Sequence, residues 1–207
     1  PVMLSLTMLV ACGNWFGDVN GETGDESLET ETGNPADTND TDDINAAAAD
    51  DARVRALTNW PEGNNPCREP ILVRLAYITD GDTVYAHPDI PGDGFSVRLI
   101  GIDTPEIEHN GDPADCYGPE ATAFASDQMK EKLAWLTFDA ECFDYYDRTL
   151  AYVIRGEGEE GFINRVIARQ GYAEQLTVEP NSTFADDFAD DVSAAKADNL
   201  GIWKECR

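Results

Sequence analysis

Short apolar segments alternate with polar turns in the C-terminal part of the chain, whereas the N-terminal part shows almost no periodicity. The apolar segments are rich in β-branched and aromatic residues and are bounded by Gly, Pro or Asp, a pattern that favours β-strands. They predict five strands, at 71–78, 83–86, 95–102, 136–143 and 149–154.

Helical spacing appears after the third predicted strand. Pro119 lies where a first-turn proline is tolerated. The apolar residues that follow recur on one helical face, and these are Ala121, Phe124, Ala125, Met129 and Leu133. A second helix is predicted at 163–170, where Gly171 would end it. A third helix would carry Phe184, Phe188, Val192 and Ala195.

The order of these elements predicts the fold class. Five strands, one helix inserted after the third strand and helices at the end indicate an α+β, mainly β, protein. Such an arrangement is typical of a five-stranded Greek-key barrel of the oligonucleotide-binding kind (OB-fold), here with three helices. With 207 residues and 42% hydrophobic content, the chain can form one core of ordinary size.

The first residues resemble an export signal. The apolar run at 2–11 is too short to span a bilayer as a mature helix but suits the core of a signal peptide. Its last residues and Cys12 read Leu-Val-Ala-Cys, which resembles the lipobox of bacterial lipoproteins. Residues 1–12 therefore predict a protein that is exported, either as a cell-envelope lipoprotein with a lipid on Cys12 or as a secreted protein. That anchor is the one membrane contact that we expect.

The next segment is acidic and almost without apolar periodicity. From Gly13 to about Asp51 it consists mainly of Asp, Glu, Thr, Asn and Gly, a composition that cannot bury enough surface to fold. We therefore predict a disordered linker at 13–66 and a folded domain at 67–207.

The net charge of −27 argues against a polyanionic partner, because nucleic-acid binding depends on Lys and Arg that release counterions from phosphates. Lysine is scarce, however, and an Asp-rich, Lys-poor surface favours solubility in a salty medium. Salt also screens the repulsion between the protein and a phosphate backbone. A nucleic-acid partner is therefore still possible if the protein works at high ionic strength.

The cysteine count indicates disulfides. Of the five cysteines, removal of Cys12 leaves Cys67, Cys116, Cys142 and Cys206. Four cysteines in an exported protein can form two disulfides, and three pairings are possible.

Candidate chemistry begins with the sequence Asp80-Gly81-Asp82 and continues at Asp103. Asp82 and Asp103 could supply two carboxylates to a hard divalent cation, with a backbone carbonyl, a phosphate and waters completing the shell. This donor set suits calcium or magnesium. Zinc fits poorly, because His87 and His109 are the only histidines.

Phosphoryl chemistry also needs cations near the phosphate and a base that activates water. Arg98, Arg148 and Glu106 could fill these roles. In a regular strand the alternation of side chains would put Arg98 and Asp103 on opposite faces. We therefore expect the strand to end near Ile102, with Asp103 and Thr104 in a turn.

Five motifs resemble the staphylococcal nuclease (thermonuclease) family, in order and approximate spacing, from about residue 71 to 203. They are Asp80-Gly81-Asp82-Thr83-Val84, Arg98-Leu99 through Asp103-Thr104-Pro105-Glu106, Tyr117-Gly118-Pro119-Glu120-Ala121, Arg148 through Leu150-Ala151-Tyr152, and Arg169-Gln170-Gly171. The resemblance implies an OB-fold barrel with three helices. It also implies hydrolysis of DNA or RNA to 3′-phosphate products at a site that holds one calcium ion.

The resemblance also implies a role for each matched residue. Calcium would be bound by the carboxylates of Asp82 and Asp103 and the carbonyl of Thr104, with Asp80 behind these ligands. Glu106 falls on the water-activating base, Arg98 and Arg148 fall on the phosphate-binding arginines, and Tyr146 falls on a tyrosine near the nucleotide. The geometry of such a barrel favours pairing Cys116 with Cys142 and Cys67 with Cys206.

The sequence departs from the family pattern at the substrate side. Lysines of the family type member are replaced between Glu108 and Asp115 by acidic residues, and a second nucleotide-side tyrosine is missing near 176–178. Base stacking is expected to be weaker there.

Three functions are compatible with these features. The first is an active nuclease, a monomer without an obligate protein partner that acts on single-stranded or frayed DNA and RNA. The second is a catalytically inactive nucleic-acid-binding module of the same fold. The third is an acidic, calcium-dependent surface or adhesion protein. The complete set of predicted catalytic groups favours the first.

Overall fold

The computed structural model describes residues 38–108 and 111–206. The predicted signal segment, Cys12 and the first part of the predicted linker lie outside the described residues, as does His109. Of the helices within the described ranges, none combines the length and the apolar character needed to cross a bilayer.

Five strands form a closed barrel, as the sequence pattern predicts. They are β1 (Ile71–Ile78), β2 (Thr83–Pro88), β3 (Phe95–Leu99), β5 (Lys132–Thr137) and β6 (Thr149–Ile154), in the order β1-β2-β3-β6-β5. Strands β3 and β6 are parallel and the other neighbours are antiparallel. Apolar side chains such as Val73, Leu75 and Leu136 are fully buried inside the barrel. This architecture is the predicted OB-fold.

The described residues contain five α-helices rather than the predicted three. They are α1 (Thr38–Arg55), α2 (Gly118–Met129), α3 (Ile163–Arg169), α4 (Ala185–Ala197) and α5 (Ile202–Glu205). The fourth barrel strand begins earlier than the predicted 136–143, because helix α2 ends at Met129 and β5 starts at Lys132, after Glu131 in a left-handed conformation (φ 61°). Leu133 is thereby a barrel residue of β5 rather than part of helix α2.

The third predicted strand is divided in two. Strand β3 ends at Leu99, and a short strand β4 (Gly101–Asp103) pairs outside the barrel with β7 (Glu174–Leu176). Gly101 has φ +90°, which side-chain-bearing residues rarely adopt. The resulting bend resets the alternation of side chains, so the prediction of a turn at Asp103 is wrong, and Asp103 ends β4.

Residues of the predicted linker pack on the barrel, so the boundary at Cys67 requires correction. Helix α1 buries Val54 completely, and Trp135 of β5 donates a hydrogen bond to the carbonyl of Val54 at 3.0 Å. Arg74 of β1 pairs with Asp51 at 2.5 Å, and Trp60 stacks on Trp135 at 4.5 Å between ring centroids. The packed part of the chain therefore includes α1.

The packing of α1 can be tested with two substitutions on the same helix. Val54→Ala removes buried methyl groups and is expected to lower the free energy of unfolding by roughly 1–3 kcal/mol, measured by urea denaturation. Ile44→Ala is the matched control, because Ile44 is 62% exposed, and it should leave stability nearly unchanged. Equal, negligible effects of both substitutions would mean that the segment is a free linker.

The disulfides pair differently from the predicted arrangement. Cys67 is bonded to Cys142, and Cys116 is bonded to Cys206. The first pair forms because the segment before Cys67 lies along the residues that follow β5, where the Cys67 amide donates to the carbonyl of Asp139 at 2.8 Å.

The second disulfide follows from the position of the last helix. The amide of Ile202 in α5 donates to the carbonyl of Gly171 at 2.9 Å. Tyr117, next to Cys116, stacks on Tyr172 at 5.5 Å between ring centroids. The neighbours of both cysteines therefore contact the segment Gly171-Tyr172, which brings Cys116 and Cys206 together. The linear sequence does not reveal this shared contact.

Candidate active site

Asp82 immediately precedes β2 and is 4% exposed. Its Oδ2 accepts hydrogen bonds from the backbone amide of Thr104 at 2.7 Å and from the Thr104 hydroxyl at 3.1 Å. Its own amide donates to Oδ1 of Asp80 at 3.1 Å. Two of the predicted metal-site residues, Asp82 and Thr104, are thus in direct contact, with Asp80 beside them.

Arg98 joins the two predicted metal carboxylates. Its Nε lies 3.1 Å from Oδ1 of Asp82, and its Nη2 donates to Oδ1 of Asp103 at 2.7 Å. Its Nη1 donates to the carbonyls of Leu99 and Ile102 at 2.9 and 2.8 Å. The side chain is 12% exposed. One guanidinium therefore holds both carboxylates and the bend between β3 and β4.

Burial and, to a smaller extent, neighbouring carboxylates oppose the ionisation of Asp82. Burial raises the pKa of Asp82 to about 7 although Arg98 opposes the shift, and the neighbouring Asp80 and Asp103 carboxylates raise it further. A second cation beside Asp82 would relieve this repulsion.

The chemical type of the available ligand atoms suits a hard divalent cation. Asp82 and Asp103 contribute carboxylate oxygens, and their described contacts are with Arg98 and Thr104 rather than with histidine or cysteine side chains. Within the described ranges, no cluster of three or more His, Cys, Asp or Glu side chains could hold a metal. A bound ion would need further oxygens from backbone, water or substrate phosphate, as calcium and magnesium sites commonly use.

The charge of Asp82 can be tested through stability. In metal-free protein the folded state binds a proton more tightly than the unfolded state, whose aspartate has the usual pKa of 3.8. The free energy of unfolding should therefore fall as pH rises from about 4 to about 7. Asp82→Asn removes the buried charge and should stabilise metal-free protein at pH 8 by about 1–3 kcal/mol.

The control for this experiment is Asp103→Asn, because the Asp103 carboxylate is 56% exposed. Its effect on the pH dependence should be much smaller. Urea denaturation in chelator, at pH 5 and pH 8, measures both variants. A less stable Asp82→Asn protein at pH 8 would contradict the proposed repulsion.

Glu106 is held near these carboxylates by its backbone. Its carbonyl accepts from the Asp115 amide at 2.9 Å, and its amide donates to Oδ2 of Asp115 at 3.3 Å. Gly118, the first residue of α2, permits this approach, since a Cβ there would lie 2.1 Å from the Glu106 carbonyl oxygen. Although the residue is exposed, partial burial first, and then the Asp80 and Asp103 carboxylates, raise the pKa of Glu106.

Arg148 approaches from the segment between β5 and β6. Its Nε donates to Oδ2 of Asp144 at 2.7 Å, and its guanidinium carbon lies 5.6 Å from the ring centroid of Tyr146. Burial alone would raise the pKa of Asp144, but hydrogen bonds from the amide and guanidinium of Arg148 hold it below its usual value. Asp144 is a functional candidate that the sequence analysis missed, although its spacing of four residues from Arg148 is a detectable signal.

A cavity of about 500 Å³ connects the two arginines. Arg98 and Arg148 both line it, and its other lining residues include Asp144, Tyr145, Leu176 and Val178. We call it the arginine cavity. Tyr146 is not among the residues that line it, whereas Tyr145 is, with 95% of its surface exposed. The aliphatic residues at 176 and 178 line the wall where the sequence analysis noted a missing tyrosine.

Comparison with known proteins identifies the family. The family described as "Staphylococcal nuclease homologue" matches residues 96–205, which is more than half of the chain. The chain belongs to the staphylococcal nuclease family.

Curated members of the family and related proteins show the same similarity. The chain is 33% identical over 127 residues to a thermonuclease of Staphylococcus intermedius, which covers 61% of this chain and 73% of the relative. It is 31% identical over 130 residues to a thermonuclease of Staphylococcus hyicus, with 63% and 74% covered. It is also 31% identical over 141 residues to an SPbeta prophage-derived endonuclease of Bacillus subtilis strain 168, with 67% and 46% covered.

The region that matches the staphylococcal nuclease family contains most, but not all, of the candidate site residues. It includes Arg98, Asp103, Glu106 and Arg148, whereas Asp82 precedes residue 96. The ion pair between Asp82 and Arg98 joins the two parts. The candidate site therefore combines the turn between β1 and β2, which contains Asp82, with residues of the matched region.

Proposed function

We propose that this protein is a calcium-dependent phosphodiesterase that hydrolyses DNA, RNA or both and leaves 3′-phosphate ends. The observation that carries the proposal concerns Arg98. It lines the arginine cavity together with Arg148, and it pairs with both Asp82 and Asp103. The names of the relatives, thermonuclease and endonuclease, support the same reaction class.

The proposed mechanism uses the residues of the site as follows. A substrate phosphate lies in the arginine cavity, where Arg98 and Arg148 donate hydrogen bonds to its oxygens and stabilise the charge that develops in the transition state. Glu106 accepts a proton from the attacking water. Calcium held by Asp82, Asp103 and the carbonyl of Thr104 would supply additional positive charge to the phosphate.

The raised pKa of Glu106 suits the role of a base. A carboxylate with a higher pKa is a stronger base, and it must be deprotonated to accept a proton. The rate should therefore rise with pH as Glu106 loses its proton, and the raised pKa moves this rise to higher pH than for an ordinary glutamate.

The second candidate is a catalytically inactive nucleic-acid-binding module of the same fold. It would retain the arginine cavity but not the hydrolytic step. The acidic residues at the cavity, Asp144 and Glu141, make tight binding without a metal ion less favourable, which favours the hydrolase.

The direct test is release of acid-soluble nucleotide from single-stranded DNA and RNA by the full chain, with calcium or with chelator, across a salt series. We expect hydrolysis that depends on calcium, with an optimum at elevated salt because the chain carries a net charge of −27. Products should carry 3′-phosphates, detected by their release of inorganic phosphate with a 3′-phosphatase. Binding without hydrolysis at any salt concentration would favour the inactive module.

Export and lipidation at Cys12 are part of the same proposal. They rest on the signal-like sequence and on the two disulfides of the described domain, since disulfides persist mainly outside the reducing cytosol. Mass spectrometry of the protein from its native membrane fraction would detect a lipid on Cys12.

A further inference from the structure

A second groove opens beside the arginine cavity. It has a volume of about 630 Å³, within the range of ligand sites, and its lining includes Arg68, Ile90, Phe95, Phe143 and Thr149. We call it the Arg68 groove. Phe143 lines both the Arg68 groove and the arginine cavity. The two spaces therefore adjoin at one aromatic side chain, which is 48% exposed.

The charge of the groove is opposite to that of the whole protein. Asp89, its one acidic lining residue, is neutralised by a two-pronged ion pair with Arg55, in which Nη2 donates to Oδ1 at 2.8 Å. Arg68 is exposed and has no carboxylate partner within the part of the chain that the structure describes. Its guanidinium carbon lies 5.1 Å from the ring centroid of Phe138.

Arg68 differs in this respect from every other arginine of the described residues. Each of the others forms an ion pair with at least one carboxylate, and they are Arg53, Arg55, Arg74, Arg98, Arg148, Arg155, Arg165 and Arg169. In a chain with 41 acidic and 14 basic residues, an arginine without a carboxylate is available for an anion from outside.

Covalent and backbone bonds hold the groove in its position. The disulfide between Cys67 and Cys142 joins the residues that immediately precede Arg68 and Phe143. Phe143 also forms a backbone bridge with Thr149, the neighbour of Arg148. The cation, the aromatic ring and the arginine cavity are thus fixed relative to one another.

We propose that the Arg68 groove binds the part of a nucleic-acid strand that extends beyond the nucleotide in the arginine cavity. Arg68 would contact a backbone phosphate, and the exposed ring of Phe143, with Phe95, would stack on a base, as aromatic side chains do in single-strand binding sites. Continuity with the arginine cavity through Phe143 favours the same strand over an unrelated ligand. This inference rests on the proposed function.

The first test compares substrates of different length. The ratio of kcat/KM for a thymidine dodecanucleotide to that for a thymidine dinucleotide measures the use of contacts beyond the cleavage site. We expect Arg68→Ala to lower this ratio about tenfold, since one stacking or charged contact is commonly worth that much. Arg68→Lys should restore part of it, because the charge is retained.

Lys196→Ala is the matched control. Lys196 is also an exposed cation over an aromatic ring, 4.2 Å from the ring centroid of Trp203, but it lies on α4 and does not line the groove. It removes the same unit of charge and should leave the length ratio unchanged. A ratio for Arg68→Ala equal to that of the wild type would overturn the inference while leaving the proposed hydrolysis intact.

A binding experiment separates the inference from the catalytic proposal. Fluorescence anisotropy with a labelled dodecanucleotide in chelator measures affinity for the strand even if the protein hydrolyses nothing. Arg68→Ala should weaken binding about tenfold and reduce the slope of log affinity against log salt by about 0.7, the value for one phosphate contact on a single strand. Equal affinities and slopes for the wild type and Arg68→Ala would overturn the inference.

Discussion

Arg98→Ala should lower kcat/KM for calcium-dependent hydrolysis by roughly 10³–10⁵-fold, the range for an arginine that stabilises charge in phosphoryl transfer. Two losses combine in this variant. The cavity loses one of its two guanidinium groups, and Asp82 and Asp103 lose the cation that holds them together. Steady-state hydrolysis of single-stranded DNA at the salt optimum measures the effect.

The matched control is Arg165→Ala. Arg165 has the same 12% exposure as Arg98 and also pairs with several carboxylates, among them Asp191 at 2.6 Å, but it does not line the arginine cavity. It should lower stability while the folded fraction keeps its kcat/KM. Arg98→Lys should not restore the wild-type rate, because an ammonium group cannot make the planar contacts to both carboxylates. Folded Arg98→Ala protein with activity within tenfold of the wild type would contradict the proposed role.

Glu106→Gln should lower kcat by about 10²–10⁴-fold, as expected for the loss of a general base. The amide keeps nearly the same shape, and the backbone contacts of residue 106 with Asp115 do not depend on the side chain. Calcium binding, measured by calorimetry, should be retained. The rise of the wild-type rate with pH, which reflects the raised pKa of Glu106, should disappear in the variant.

Glu108→Gln is the control for Glu106→Gln, since it removes an equal charge two residues away at an exposed position. It should change kcat by less than about twofold, because it keeps the base. If both variants lose activity equally, the effect is a general change in charge. If Glu106→Gln keeps the wild-type rate and pH profile, Glu106 is not the base.

The barrel could be predicted from the sequence because the pattern that indicates each strand lies within a short stretch of residues. Each strand is a short apolar segment rich in β-branched and aromatic residues, and Gly, Pro or Asp marks the ends of these segments. The candidate site residues could be predicted for a related reason. Asp80, Asp82, Arg98, Asp103 and Glu106 occur within a short stretch at a family-specific spacing, and the structure brings Asp82, Arg98 and Asp103 into direct contact.

Helix α1 shows why amino-acid composition alone did not predict where the linker ends. Most of its described side chains are exposed and its residues are largely acidic or Ala, so the segment resembles a disordered linker. Its position depends on partners far along the chain, since Trp135 bonds to Val54, and Arg74 and Arg155 pair with Asp51 and Asp50. A local sequence pattern cannot predict contacts between residues that are so far apart in the chain.

Local patterns and motif spacing were enough to predict the family and the five-stranded barrel, which are both confirmed, whereas the catalytic and metal-binding roles assigned from the same motifs stay predictions. Only the tertiary structure decided the disulfide pairing, the packing of α1 and the presence of the Arg68 groove. Cys67 and Cys142, separated by 75 residues, meet because the chain before Cys67 lies along the residues that follow β5. Such encounters depend on how the whole chain folds, and no short segment specifies them.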